Sequence, residues 1–373
     1  MRVAVVHEWF VSVAGSESVV EQILQLFPGA DVYAMVCFLK PEDAPILNGS
    51  QVRTSFIQKL PFAKTKYRGY LPLMPIAVEQ FDLSGYDLVI SSSHAVAKGV
   101  ITGPDQVHIS YIHSPIRYAW DLQHIYLKEA NLARGLRSML ARLILHYIRM
   151  WDVRTGHGVD HFVANSNFIS RRIKKIYGRG SEVIYPPVHL DQFVLGGARG
   201  DFYLTASRFV PYKKIPLIVE AFARMPDKKL VVIGEGPEED AARAVAGPNV
   251  QFLGYQSRAA LIDYMQRAKA FVFAAEEDFG IVPVEAQGCG TPVIAYGKGG
   301  VLETVIDGKT GVFFYEHTPQ ALMDAVARFE KLVPNLDPQA IRRNAERFDT
   351  SIFRREFKAL VDRAMQKEGA ASL

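Results

Sequence analysis

The chain has 373 residues, 49% of them apolar and 22% charged, more than a single hydrophobic core usually organises, so two globular domains are expected and fibrous or disordered classes are excluded. No run of eighteen apolar residues occurs, and Met1-Arg2-Val3-Ala4-Val5-Val6 leads into His7-Glu8-Trp9 without an h-region or cleavage site, so neither a membrane span nor an export signal is expected. The formal charge of +4 is unevenly placed: basic residues exceed acidic ones by five in residues 1–186 and fall one short in the remainder, which suits an anionic surface or substrate for the first half. Cys37 and Cys289 have no ligand spacing around them and read as thiols of a reducing compartment.

In chain order, Val3–His7 reads as a strand and Glu17–Phe27 as a helix stopped by Pro28-Gly29. Further buried strands are expected at 31–36, 88–93, 108–113 and 161–166, spaced by helix-length segments, which means a parallel sheet covered on both faces. Residues 131–151 carry apolar residues at helical spacing with Arg134, Arg137, Arg142 and Arg149 interleaved. A long core helix is the ordinary reading, and an interfacial helix shows the same pattern. The segment 184–200, with Pro186-Pro187 and Gly196-Gly197, reads as a linker, after which strands are expected at 202–206, 230–234, 250–254, 270–274 and 292–295. An amphipathic helix over 354–365 closes the chain. The fold class is therefore α/β, with two doubly wound parallel-sheet domains over 1–190 and 198–349, and the terminal helix, 350–373, expected to return to the first. Ligands of such sheets bind beyond the C-terminal ends of the strands.

Five segments at such ends carry candidate chemistry. Glu277 and Glu285 stand eight residues apart, about two helical turns, around the turn Phe279-Gly280-Ile281, whose amides open a helix and can meet phosphate oxygens. A pair of solvated helix-end charges is the plain alternative. Arg208 and Lys213 follow the first strand of the second half, where two cations could neutralise the charge that grows on a departing diphosphate. Gly234-Glu235-Gly236-Pro237 is a tight turn, expected near a nucleotide, but it lacks the third glycine of a dinucleotide fingerprint. Ala14-Gly15-Ser16-Glu17 joins the first strand to the first helix and either presents amides to phosphate or acceptor, or simply caps the helix. His113 ends a strand before Ser114-Pro115, beside Arg117, Tyr118 and Trp120, and could bond a sugar hydroxyl or the reacting centre. No Asp-x-Asp and no clustered histidine spacing occurs, so no metal and no cofactor is expected.

Together these motifs resemble the retaining glycosyltransferases of family four, which have the two-Rossmann GT-B fold; the similarity runs from Ala14-Gly15-Ser16-Glu17 to the terminal helix. Ile112-His113-Ser114-Pro115-Ile116-Arg117-Tyr118 is most similar to mannosyltransferases that build bacterial surface polysaccharides. The resemblance implies that Glu285 holds the ribose of a nucleotide-sugar donor, Glu277 the donor sugar, Arg208 and Lys213 the diphosphate, and that His113 contacts the sugar near its anomeric carbon. It further implies GDP-mannose as donor and a lipid-linked saccharide as acceptor, with metal-independent chemistry. The family's Gly-Gly-Ala-Glu loop reads Ala14-Gly15-Ser16-Glu17 here. A cytoplasmic protein is expected, with Lys64, Lys66, Tyr67 and Arg68 suited to docking on an anionic membrane surface. The alternatives are a UDP-sugar transferase, a catalytically silent nucleotide-sugar scaffold, and a phosphorylase-like or epimerase relative. The scattered basic residues form no nucleic-acid module.

Overall fold

The computed structural model describes residues 1–371; Ser372 and Leu373, the end of the helix expected over 350–373, lie outside the described residues. The chain divides into two compact units, one of Met1–Pro187 together with the chain from Phe353 on, the other Val188–Ile352.

The first unit contains a seven-stranded sheet, β1 (Val3–Phe10), β2 (Asp31–Cys37), β3 (Val52–Thr54), β4 (Leu88–Ser93), β5 (Val107–Ile112), β6 (His161–Ala164) and β7 (Glu182–Val183), in the order β3-β2-β1-β4-β5-β6-β7. Every pairing is parallel. β1 is buried over nearly its whole length because alternate residues enter different cores. Val3 and Val5 pack with Val19, Ile23 and Leu24 of the helix Gly15–Leu26, whereas Ala4 and Val6 pack with Met74, Val78 and Val96 on the opposite face. That period of two is what a sheet covered on both sides demands. The terminal helix, Thr350–Ala371, adds Phe353, Phe357, Leu360, Val361 and Ala364 to the first of these cores, residues spaced to share one helical face.

The second unit repeats the design with β8 (Tyr203–Ala206), β9 (Leu230–Ile233), β10 (Val250–Gly254), β11 (Ala270–Phe273), β12 (Val293–Tyr296) and β13 (Gly311–Phe314), all parallel, in the order β10-β9-β8-β11-β12-β13. Tyr203, Leu230 and Val232 enter one core, Leu204, Val231 and Ile233 the other. Both sheets are thus doubly wound, and each has a topological switch point: between β1 and β4 in the first unit, and between β8 and β11 in the second.

Three expectations are corrected. The glycine-containing stretch read as linker is an ordered part of the second unit: Phe193 is in its core, Arg199 donates to Ala268 O at 2.9 Å and Thr291 Oγ1 at 2.7 Å, and a Cβ at Gly196 would lie 2.2 Å from Gln266 O. The helix Leu136–Thr155 is not a core helix all round. It buries Ser138, Leu145, Ile148, Trp151 and Asp152, and exposes Leu136, Met139, Leu140, Leu143 and Met150. The first helix begins at Gly15, two residues ahead of Glu17.

Candidate functional site

At the second unit's switch point, the loops after β8 and β11 bring Lys213 and Glu277 into a direct ion pair. Lys213 Nζ also lies over the rings of Tyr212 and Phe273, at 5.5 and 5.8 Å from their centroids. Arg208, on the same loop as Lys213, is exposed and makes no ion pair among the described residues. The loop is set by the turn after β9. Gly234 and Gly236 have φ of 124° and 154°, and Cβ atoms there would lie 1.9 Å from Ser207 O and 2.7 Å from Phe209 O. Phe209 N donates to Glu235 O and Glu238 N to Phe209 O. Gly234, expected beside the nucleotide, therefore uses its missing side chain to seat the Arg208 loop.

The loop after β11 is held in the same manner. Gly300 N donates to Glu277 O at 2.8 Å. Cβ atoms at Gly299 and Gly300 would lie 2.3 Å from Glu277 O and Asp278 O respectively. The glycine pair after β12 thus fixes the turn that carries Glu277. Phe279 directs its ring to Phe348, 5.3 Å away, so only its backbone is offered to a ligand. Gly280, at φ 87°, is the N-cap of the helix Ile281–Gly288, a left-handed geometry that favours glycine. The first-turn amides, including that of Ile281, have no intrahelical acceptor, and Pro283 has no N–H at all.

Glu285, on that helix, is buried, and Arg258 Nη1 lies 2.9 Å from its carboxylate. Arg258 is half exposed, bonds Gln192 at 3.3 Å and covers the ring of Phe193. Burial pushes the Glu285 carboxyl above its usual range, opposed by the charge and hydrogen bond of Arg258. Both expected carboxylates are therefore matched by cations, Glu277 by Lys213 and Glu285 by Arg258.

In the first unit, the switch point gathers a second cluster. Glu8, at the end of β1, accepts from Ser93 Oγ and from the amides of His94, Ala95, Val96 and Ala97 at 2.7–3.1 Å. Its carboxyl is held below the usual range: burial opposes ionisation, but His94 and these amides outweigh it. Glu17 accepts from Ala14 N at 3.0 Å and Ser16 Oγ at 2.9 Å, and faces His7. The Ala14-to-Glu17 loop thus spends an amide and a hydroxyl on its own cap, with Gly15 as first helical residue. His113 is partly buried. Its Nε2 lies 2.8 Å from Ser92 Oγ, its amide donates to Ser93 O and its carbonyl accepts from Asn165. Burial, and then the neighbouring His94 and His7, hold it well below the usual histidine range, so it is neutral.

Of its expected neighbours, Trp120 donates from Nε1 to the buried Asp152 at 2.8 Å, a structural task, and Arg117 donates to Ser114 Oγ. Tyr118 stacks edge-on with Tyr126. Asp152 is the partner of the buried Lys98, at 2.6 Å. Sequence reasoning missed His7, Ser92, Arg258, Gly299 and Gly300. His7-Glu8 inside an apolar strand was a readable signal, as was the glycine pair beyond β12. Arg258 gave none, lying 27 residues from its partner on another helix.

Residues 13–192 match the family model for Glycosyltransferase Family 4, and residues 197–348 that for Glycosyl transferases group 1. The chain belongs to the glycosyltransferases of this group 1 and family four type. Among curated proteins it is 30% identical over 212 residues to the D-inositol 3-phosphate glycosyltransferase of Mycobacterium leprae, covering 50% of this chain and 49% of that one. It is 32% identical over 229 residues to the Mycobacteroides abscessus protein of the same name, covering 54% and 50%. The chain spans about half the length of these relatives. Among solved structures it shares its fold with Anabaena HepE in complex with UDP, at TM-score 0.67 and 17% identity over 97% of this chain and 100% of that one. The sucrose-phosphate synthase of Thermosynechococcus elongatus aligns at TM-score 0.68 and 17% identity over 98% and 100%. The fold is GT-B, two Rossmann-like parallel-sheet domains.

Proposed function

We propose that the chain is a retaining glycosyltransferase that moves a sugar from a nucleoside-diphosphate donor to an acceptor hydroxyl, with the donor bound by the unit Val188–Ile352 and the acceptor by the other. The Lys213–Glu277 pair at the β8/β11 switch point carries this reading, because it sets a cation for diphosphate and an acceptor for sugar hydroxyls beside the amides that follow Gly280. Glu285 receives the ribose, Arg208 and Lys213 the diphosphate, and Glu277 the sugar. Charge building on the leaving oxygens is met by the two cations and the helix amides, which supplies most of the acceleration, and the departing phosphate takes the acceptor proton. His113, neutral, bonds the sugar. No metal or other cofactor takes part.

For the donor, GDP-mannose rests on the resemblance of Ile112–Tyr118, with a lipid-linked saccharide of surface polysaccharide synthesis as acceptor. A UDP-sugar is the second reading, favoured by the UDP in HepE. A thermal-shift panel of GDP, UDP, ADP and their sugars, with and without chelator, decides between them. The proposal expects one base to stabilise the protein equally in both conditions, and stabilisation by none of them contradicts it.

No helix among the described residues is long and apolar enough to cross a membrane. We propose instead peripheral docking on an anionic bilayer, on the cytoplasmic side, through the exposed Leu136, Met139, Leu140, Leu143 and Met150. No Asp or Glu occurs between Glu129 and Asp152, or between Asp43 and Glu79, a stretch that exposes Phe62 beside Lys64 and Lys66. Flotation with phosphatidylglycerol vesicles at low salt is expected, and its loss in Leu140→Asp/Leu143→Asp. Wild-type protein that stays at the bottom, or self-associates through this face instead, contradicts it.

A further inference from the structure

Glu17, His7, Ser92 and His113 form one hydrogen-bonded line across the first switch point. His7 Nε2 lies 3.5 Å from Glu17 Oε1, His7 Nδ1 lies 3.2 Å from Ser92 Oγ, and Ser92 Oγ lies 2.8 Å from His113 Nε2. His7 and Ser92 are wholly buried, and Glu17 is 4% exposed.

Such a line has a direction. A neutral imidazole offers one donor and one acceptor nitrogen, and a serine hydroxyl hands the direction on. Glu17 is ionised: burial pushes its carboxyl up, but the hydrogen bonds it accepts from His7, its own helix amide and Ser16 hold it below the usual range. A carboxylate only accepts, so the nitrogen of His7 that faces it carries the proton. His7 Nδ1 then accepts from the Ser92 hydroxyl, whose oxygen accepts from Nε2–H of His113. The line ends at His113 Nδ1 with a lone pair, and that atom has no hydrogen-bond partner among the described residues.

We propose that Glu17, His7 and Ser92 are positioning residues that fix His113 in its Nε2–H tautomer, so that its Nδ1 meets the substrate as an acceptor for a hydroxyl. The role toward substrate rests on the glycosyltransferase reading; the tautomer does not. A second proton on His7 would reverse the line, since His7 Nδ1 would then donate to Ser92 O, 3.3 Å away, or to its hydroxyl. The other titratable and charged groups around it are His94, with ring centroids 6.3 Å from both His7 and His113, Tyr111 at 5.1 Å from His113, and Glu8 and Arg68, which act on His94.

The test is nitrogen-15 NMR of histidine-labelled full-length protein at about pH 8, where neutral imidazoles prevail, with the His113 signals assigned by their loss in His113→Asn. Two-bond correlations are expected to show Nε2–H for His113 in the wild type. Ser92→Ala and Glu17→Gln should both release it to a tautomer mixture, and Ser92→Thr, which keeps the hydroxyl, should retain it. An Nδ1–H wild type, or an Nε2–H population unmoved by both Ser92→Ala and Glu17→Gln, overturns the assignment. Hydrolysis of GDP-mannose and UDP-glucose supplies the functional arm: Ser92→Ala should lower kcat about tenfold or more at little changed KM, restored in Ser92→Thr. A tautomer that shifts as expected while kcat stays at the wild-type value leaves the relay standing and removes His113 from the reaction.

Discussion

Lys213 and Glu277 are ion-paired across the exits of β8 and β11, the two adjacent strands at which the order of the second sheet reverses. The pair holds two opposite charges side by side at the place where open α/β sheets take their ligands. Lys213→Ala and Arg208→Ala should each reduce turnover about a hundredfold or more, the usual effect of removing a charge-stabilising donor. Steady-state transfer or donor hydrolysis measures this; wild-type turnover in either variant rejects the assignment.

Gly300 supports Glu277 through the backbone alone. A methyl group in Gly300→Ala would lie 2.3 Å from Asp278 O and 2.4 Å from Phe279 Cα, so the turn must move. Urea unfolding should show a loss of about 1–3 kcal/mol, the ordinary range for overpacking, and nucleotide affinity should fall with it. Unchanged affinity would mean that the turn has no part in binding.

Arg258 is the counter-charge of a buried carboxylate whose proton affinity burial has already raised. Arg258→Ala should therefore destabilise more as pH rises, because ionised Glu285 needs a partner and protonated Glu285 does not. Since Arg258 is half exposed, a loss of about 1 kcal/mol near pH 8 is expected, shrinking toward pH 5. Chemical denaturation at the two pH values tests it, and a loss larger at pH 5 contradicts it. In Arg258→Ala/Glu285→Gln the pH dependence should vanish.

Two histidines are held neutral by burial: His113 lies well below the usual range, and His108 is pushed down to about 4. The unfolded chain takes up protons at these sites near pH 6.5, while the folded chain does so only at lower pH. Stability should thus be full above about pH 6.5 and decline steadily from there toward pH 4. A melting temperature flat over that range counts against the buried neutral states.

Much of this was legible in the sequence, for a physical reason. Strands buried on both faces, such as Leu88–Ser93 and Leu230–Ile233, are continuous runs whose ends punctuation marks, and their spacing gives the parallel order. The short strands Val52–Thr54 and Glu182–Val183 escaped because two or three residues carry no period of their own. Glu277 and Lys213 were readable because each follows a strand. Their mutual contact, the Arg258–Glu285 pair and the Glu17–His7–Ser92–His113 line are products of the winding, which brings β1 beside β4 across 85 residues of chain. The sequence places Trp120 beside His113, and only the helix Leu136–Thr155 supplies the aspartate that claims its N–H.

We propose that the exits of β8 and β11 bind a nucleoside-diphosphate sugar. Isothermal titration of wild-type protein and of Arg208→Ala/Lys213→Ala with GDP, GDP-mannose, UDP and UDP-glucose addresses it directly. One diphosphate series should bind the wild type at one site per chain, with the double variant weakened about a hundredfold or more. Binding of equal strength in both proteins, or none in the wild type, would contradict the claim.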